Sequence, residues 1–188
     1  MTKRTTYPMN QDDLAALDLQ IRGCHSCPLS ENRNLAVPGR GPAPAKIMLV
    51  GEAPGREEDM TGKPFVGRAG RLLDAAIELA GLVRSEIYIT SVIKCRPPEN
   101  RKPKKKEIAL CIHYLKAQMN IVRPEIICLM GNTAAQAVLG MQGITKLRGK
   151  MLHNRFLVTY HPAAVLRNRN LMEEFVSDLK RLNTLGDH

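Results

Sequence analysis

Four short apolar runs, at residues 47–50, 87–93, 125–130 and 156–160, alternate with stretches whose apolar residues recur at helical spacing. Few folds accommodate that alternation. Strands this apolar must be covered on both faces, and strand–helix–strand units achieve this on a parallel sheet. The helical stretches are marked by Leu14, Leu17 and Ile21; by Leu72, Leu73, Ala76, Ile77 and Ala80 within residues 67–80, stopped by Gly81; and by Ile108, Ile112, Leu115, Met119 and Val122. Residues 132–139 form another, and Leu171, Phe175, Leu179 and Leu182 mark the last. The expected architecture is an α/β three-layer sandwich, with a central four-stranded parallel sheet flanked by helices. At 188 residues the chain reads as a single domain over residues 1–188, with residues 1–9 as a flexible N-terminal tail and residues 28–45, rich in Pro and Gly, as an extended connector.

In such sheets ligands bind beyond the carboxyl ends of the strands. Those ends carry Gly51-Glu52-Ala53-Pro54-Gly55, residues 91–94, Gly131-Asn132 and His161-Pro162. Polar and conformationally special residues therefore gather at one edge. The 51–55 turn can present backbone N–H groups to a ligand. It has neither a Gly-x-Gly-x-x-Gly pattern nor a Gly-Lys-Ser/Thr, so nucleoside triphosphate binding has no support. Glu52 stands where it can face a substrate. Glu57, in the acidic stretch that follows, reads as part of a solvated turn. His161 is a catalytic candidate because of its place at a strand end, where Pro162 fixes the turn.

Charge narrows the partner. The formal net charge is +10, with pI near 9.6, which fits a polyanion, most simply nucleic acid. Seven Lys or Arg against one Glu lie in residues 94–106, and six with no acid in residues 146–169. No run approaches the roughly 20 apolar residues of a membrane span. The polar start lacks a signal-peptide core, so a cytoplasmic protein is expected, and also a monomer.

Five cysteines in that compartment point to metal rather than disulfides. Cys24-x2-Cys27 clamps one centre, and Cys95 and Cys111 can complete it if the fold returns them. Four thiolates with no open position describe a structural site, either zinc or an iron–sulfur cluster. A zinc ribbon usually repeats the short pair, and Cys95-x15-Cys111 does not, so the spacing leans toward iron–sulfur. Cys128, inside an apolar run, is expected in the core.

Taken in order, Cys24-x2-Cys27, the Gly-Glu-Ala-Pro-Gly turn, Gly62-Lys63-Pro64-Phe65-Val66-Gly67, Lys94-Cys95-Arg96-Pro97-Pro98 and Tyr160-His161-Pro162-Ala163 resemble the family-4 uracil-DNA glycosylases, iron–sulfur members of their superfamily. The resemblance spans roughly residues 22–182. It implies hydrolysis of the bond between uracil and deoxyribose in DNA, leaving an abasic site, and a [4Fe-4S] cluster on Cys24, Cys27, Cys95 and Cys111, with zinc the weaker alternative. The cluster would anchor segments of the DNA face. By the same resemblance Phe65 stacks on the flipped base, His161 hydrogen-bonds its O2, and Glu52 stabilises the cationic sugar or orients water. Backbone N–H groups near Ala53 and Gly55 add donors, and Glu58 lines the pocket near the C5 edge. Leu166 is the candidate wedge, and Lys63, Arg68, Arg96, Arg148 and Arg167 grip phosphates.

Two departures from the pattern stand out. Ser91 occupies the position of the family's usual Asn, whose amide reads uracil at two points. Serine offers one hydroxyl, so weaker or broader base selection is expected, with hypoxanthine or xanthine as candidates. Ala53 stands where some relatives carry a water-activating Asp. The competing class is a non-catalytic nucleic-acid-binding module with a structural metal. A zinc-dependent hydrolase would need an open site with His or carboxylate ligands, and no His-rich cluster is present.

Overall fold

The computed structural model describes residues 10–185, so the tail expected at residues 1–9 lies outside the described residues. In chain order the elements are α1 (Gln11–Arg22), α2 (Leu29–Asn32), β1 (Gly39–Arg40), β2 (Ile47–Gly51), α3 (Arg56–Thr61), α4 (Arg68–Leu79), β3 (Ile87–Ser91) and α5 (Lys105–Val122). There follow β4 (Ile126–Met130), α6 (Asn132–Leu139), α7 (Ile144–Leu147), β5 (Met151–Leu152), β6 (Phe156–Thr159), α8 (Pro162–Arg167) and α9 (Met172–Leu185).

The sheet has six strands in the order β1-β3-β2-β4-β6-β5, not the four expected. The parallel core is present: β2 pairs in parallel with β3 and β4, and β4 with β6. The additions are two-residue antiparallel edges, β1 on β3 and β5 on β6. Strands of two residues carry no readable period, and β1 is further concealed within the Pro/Gly-rich connector. Within that connector Gly39 pairs with Thr90, where any Cβ would collide with the Tyr88 hydroxyl.

The helices grow from local signals. Asn10 caps α1, accepting from the N–H groups of Asp12 (2.8 Å) and Asp13 (3.3 Å), while the Asp13 carboxylate accepts from Asn10 N–H at 2.9 Å. At the start of α5, Glu107 accepts from the N–H of Lys104 at 2.7 Å, and Arg101 forks onto the same carboxylate at 2.6 and 2.9 Å. Alternation along each strand feeds two cores. Met48, Val50, Tyr88, Ile127, Leu129 and Val158 pack with Leu14, Leu17, Ile21 and Leu115 of α1 and α5. Leu49, Ile87, Ile89, Cys128 and Leu157 pack with Leu73 and Ile77 of α4 and Phe175 and Leu179 of α9. Cys128 is fully buried there, as expected.

One ion pair fixes α9 to the sheet. Asp178, almost wholly buried, accepts from Arg148 at 2.7 and 3.1 Å and from the Thr159 hydroxyl at 2.7 Å. Arg148 also lies 3.4 Å from Glu174 and 5.4 Å over the Tyr160 ring. Removing one partner of such a pair leaves a buried charge uncompensated. Arg148→Met is therefore expected to cost about 3 kcal/mol in urea unfolding. Arg148→Met combined with Asp178→Leu should recover much of that loss, and an undiminished midpoint in the single variant would remove this pair from the account.

Candidate active site

The strand ends meet around a cleft of about 490 Å³ lined by the 52–58 segment, Phe65, Arg68, Ser91, Asn100, Arg101, His161 and Arg167. Its floor depends on Gly51, the last residue of β2. A Cβ there would stand 2.5 Å from the Phe65 ring and 3.5 Å from His161 Nε2. Glycine thus lets an aromatic ring and an imidazole converge over the strand end, with ring centroids 6.1 Å apart. Phe65 holds this place with φ of 52°, a left-handed conformation that costs a large side chain energy and must be enforced by its surroundings.

Glu58 does the enforcing. One oxygen accepts from the N–H groups of Val66 (2.9 Å) and Gly67 (2.8 Å), and the other from Gly55 N–H at 3.0 Å. A single carboxylate thereby ties the 51–55 turn to the segment carrying Phe65. It lines the cleft as the resemblance implies, but both oxygens are engaged by main chain. Its neighbours divide between structure and solvent. Asp59 is buried and accepts from Asn34 at 3.0 and 2.6 Å, whereas Glu57 is exposed and lies 3.5 Å from Arg71.

His161 caps α8. Its Nδ1 accepts from Ala163 N–H at 3.1 Å, so the ring proton belongs on Nε2. That nitrogen is buried at the cleft wall without a hydrogen-bond partner among the described residues. Burial, with a smaller contribution from the positive charge of Arg167, pulls His161 down from 6.5 to about 4. The ring is a neutral imidazole that carries its proton on Nε2. Glu52 accepts from the hydroxyl of Thr133, a buried residue in the first turn of α6. Nothing in the sequence around Thr133 flags this pairing.

Ser91 is buried at the end of β3, paired with Gly51 across the ladder. Lys94, three residues on, is also buried, and its ammonium donates to the Ser91 carbonyl at 2.6 Å. Burial pulls Lys94 down to about 7. The cations expected on the rim divide. Arg68 and Arg167 line the cleft, joined by Arg56 and Arg101, which the basic-run reading did not single out. Lys63 is exposed just before Phe65, and Arg96 is half-buried and donates to Asn100 at 2.8 Å. Arg148 is absent from the cleft because Asp178 and Glu174 hold it. Leu166, expected as the wedge, is half-buried and packs on the second core.

Cys24, Cys27, Cys95 and Cys111 line one small cavity with Ile21, Arg33 and Tyr114. Arg33 donates to Cys95 Sγ at 2.9 Å, and the Tyr114 hydroxyl donates to Cys24. Burial pushes the Cys111 thiol up to about 11. Among the described residues, no three His, Cys, Asp or Glu stand close enough together to hold a single metal ion. Also among them, no helix is long and apolar enough to cross a membrane.

The state of His161 has a thermodynamic signature. Its folded pKa lies below the unfolded one, so between about 6.5 and 4 the unfolded chain holds more protons. The His161 contribution is complete above about pH 6.5 and is lost as pH falls toward 4. Between pH 7 and 4.5 the wild type should lose roughly 2 kcal/mol more than His161→Leu. Equal losses in urea titrations at the two pH values would place the imidazole in water.

A family model described as the uracil DNA glycosylase superfamily matches residues 38–180. A type-4 uracil-DNA glycosylase of Pyrobaculum aerophilum is 42% identical over 179 residues, covering 89% of this chain and 91% of the relative. One from Sulfurisphaera tokodaii is 42% identical over 188 residues, covering 93% and 86%. A third, from Archaeoglobus fulgidus, is 40% identical over 178 residues, covering 88% and 89%. Matches of that extent, which include the cleft-lining segments from Glu52 to His161, show that this chain belongs to the uracil DNA glycosylase superfamily.

Proposed function

We propose that the chain is a monofunctional uracil-DNA glycosylase acting in DNA repair in the cytoplasm. The observation that carries the reading is the unpartnered Nε2–H of neutral His161 at the wall of a cleft floored by Gly51 and Phe65. A base flipped from the duplex would enter with one face on Phe65. His161 would donate to uracil O2, where negative charge gathers as the glycosidic bond breaks. A neutral donor suits this step, because stabilising the anion needs a hydrogen bond and no proton transfer.

The bonding electrons leave with uracil N1. Water adds its oxygen to C1′ of the sugar, and the proton it releases balances the departing base. Glu52, held by Thr133, offers its carboxylate to the developing sugar cation and to that water. Ala53 has no group to activate water, which places more of the work on the anion site and on positioning. Ser91 faces the base as the selecting side chain, and its single hydroxyl supports a selection broader than an amide gives. Glu58 contributes by bracing the turn and Phe65. Lys63, Arg68, Arg96 and Arg167 would contact backbone phosphates. Leu166 would act as wedge only through its exposed portion.

The four cysteines fit a [4Fe-4S] cluster better than zinc. Tetrahedral zinc draws four sulfurs to about 2.3 Å from one ion, whereas here four thiols share a cavity without converging on a point. A cubane binds each thiolate at a separate iron. Arg33 and Tyr114 supply the donors that thiolates require. The cluster would serve as a covalent cross-link between the α1 end, the segment after β3, and α5.

The test is base release from oligonucleotides carrying one uracil opposite G, opposite A, or in a single strand, followed by alkali. Wild type should give alkali-dependent cleavage, and His161→Ala should lose about a hundredfold or more in rate. Ser91→Asn should sharpen preference for uracil over hypoxanthine by roughly tenfold to a hundredfold. Cluster-loaded protein that releases no uracil would leave the binding-module reading in its place.

A further inference from the structure

Lys94 is sealed inside the protein, with 2% of its surface exposed. An ammonium in that position costs several kcal/mol of lost hydration, and an aliphatic side chain would fill the space without that cost. Its Nζ stands within hydrogen-bond reach of three acceptors, which together favour the protonated form against burial: the Ser91 carbonyl at 2.6 Å, Gln118 Oε1 at 2.7 Å and Thr90 Oγ1 at 2.7 Å. The acceptors are themselves fixed. Thr90 donates to the Pro38 carbonyl at 2.6 Å, and Gln118 donates to the same carbonyl at 2.8 Å and to the Tyr88 hydroxyl at 3.0 Å.

The consequence falls on one peptide plane. The Ser91–Val92 peptide is held at its carbonyl by Lys94 and at its N–H by the Gly51 carbonyl, at 3.0 Å. Gripped at both ends, it cannot rotate, and the direction of the Ser91 side chain is set within its few rotamers. The Lys94 carbonyl in turn accepts from Val37 N–H at 2.7 Å, and Val37 lines the same cleft. A serine has only one hydroxyl with which to read a base, so its aim matters more than that of a longer amide.

We propose that Lys94 is a positioning residue for base selection: its ammonium locks the Ser91–Val92 peptide so that the Ser91 hydroxyl meets the flipped base. This rests on the reading of Ser91 as the base-selecting side chain. Lys94 lines the cysteine cavity and not the cleft, so its effect on the base passes through Ser91.

A double-mutant cycle on cluster-loaded protein, with loading verified by visible absorbance and iron content, tests the claim. Lys94→Met in the wild-type background should lower kcat/KM for uracil about tenfold and raise the inhibition constant of free uracil by a similar factor. Added to Ser91→Ala, it should cost less than about threefold, because the hydroxyl it aims is gone. Tyr88→Phe, which removes another bond of the buried network, should lower stability and leave the free-uracil constant unchanged. A Lys94→Met penalty that is absent, or equal in both backgrounds, overturns the proposal while leaving Ser91 in place. A Ser91→Ala variant as active as wild type overturns both the base-reading role and the proposal. Should Lys94→Met not fold, the wild-type ammonium decides. Slow solvent exchange of its ¹⁵N-bound protons supports the lock, and exchange as fast as that of surface lysines overturns it.

Discussion

The absence of a single Cβ at Gly51 underlies the whole arrangement. Because the end of β2 is bare, Phe65 can lie over it and His161 Nε2 can stand beside it. Each of these placements needs its own support. Phe65 adopts a left-handed backbone, held by the Glu58 carboxylate through the Val66 and Gly67 N–H groups. His161 is held by its own Nδ1 on Ala163. The same Gly51 carbonyl fixes Val92, so the third wall of the cleft, at Ser91, depends on the same residue. One strand end thus sets the positions of Phe65, His161 and Ser91 together.

The electrostatics of the cleft follow from that geometry. The net charge of +10 suits a phosphate backbone as partner, yet the His161 ring at the cleft wall is uncharged. Burial keeps it so, since water cannot reach Nε2 to stabilise an imidazolium. In the proposed function this neutral donor would serve an anionic leaving group through a hydrogen bond, with no proton transfer. In the proposed function Arg68 and Arg167, which line the same cleft, would contact phosphates from positions where their charge need not be desolvated.

Much of this was legible in the sequence, for physical reasons that differ by element. The four parallel strands and the helices on α4 and α5 announce themselves because burial on both faces demands apolar runs and periodic stripes. Gly51, Glu52, Ser91 and His161 are legible because a parallel sheet gathers its special residues at the strand ends, whereas Phe65 is legible only through the family resemblance; the cleft brings Glu52, Phe65, Ser91 and His161 together. The two edge strands were hidden because two residues have no period. A basic run says nothing about which cation has an acidic partner thirty residues away, as Arg148 has at Asp178. The roles of Glu58, Thr133 and Lys94 lie in contacts across the fold, and no local spacing encodes them. The cysteine spacing pointed to one site, and the four thiols do share a cavity.

The central claim is that His161 works as a neutral Nε2–H donor. The most direct measurement is the ¹⁵N spectrum of the His161 ring, in free protein and with uracil bound, as a function of pH. The account predicts, at pH 7, a protonated Nε2 and an unprotonated, hydrogen-bonded Nδ1, with no imidazolium until the pH approaches about 4. An imidazolium at pH 7, or a neutral ring protonated on Nδ1, would contradict it.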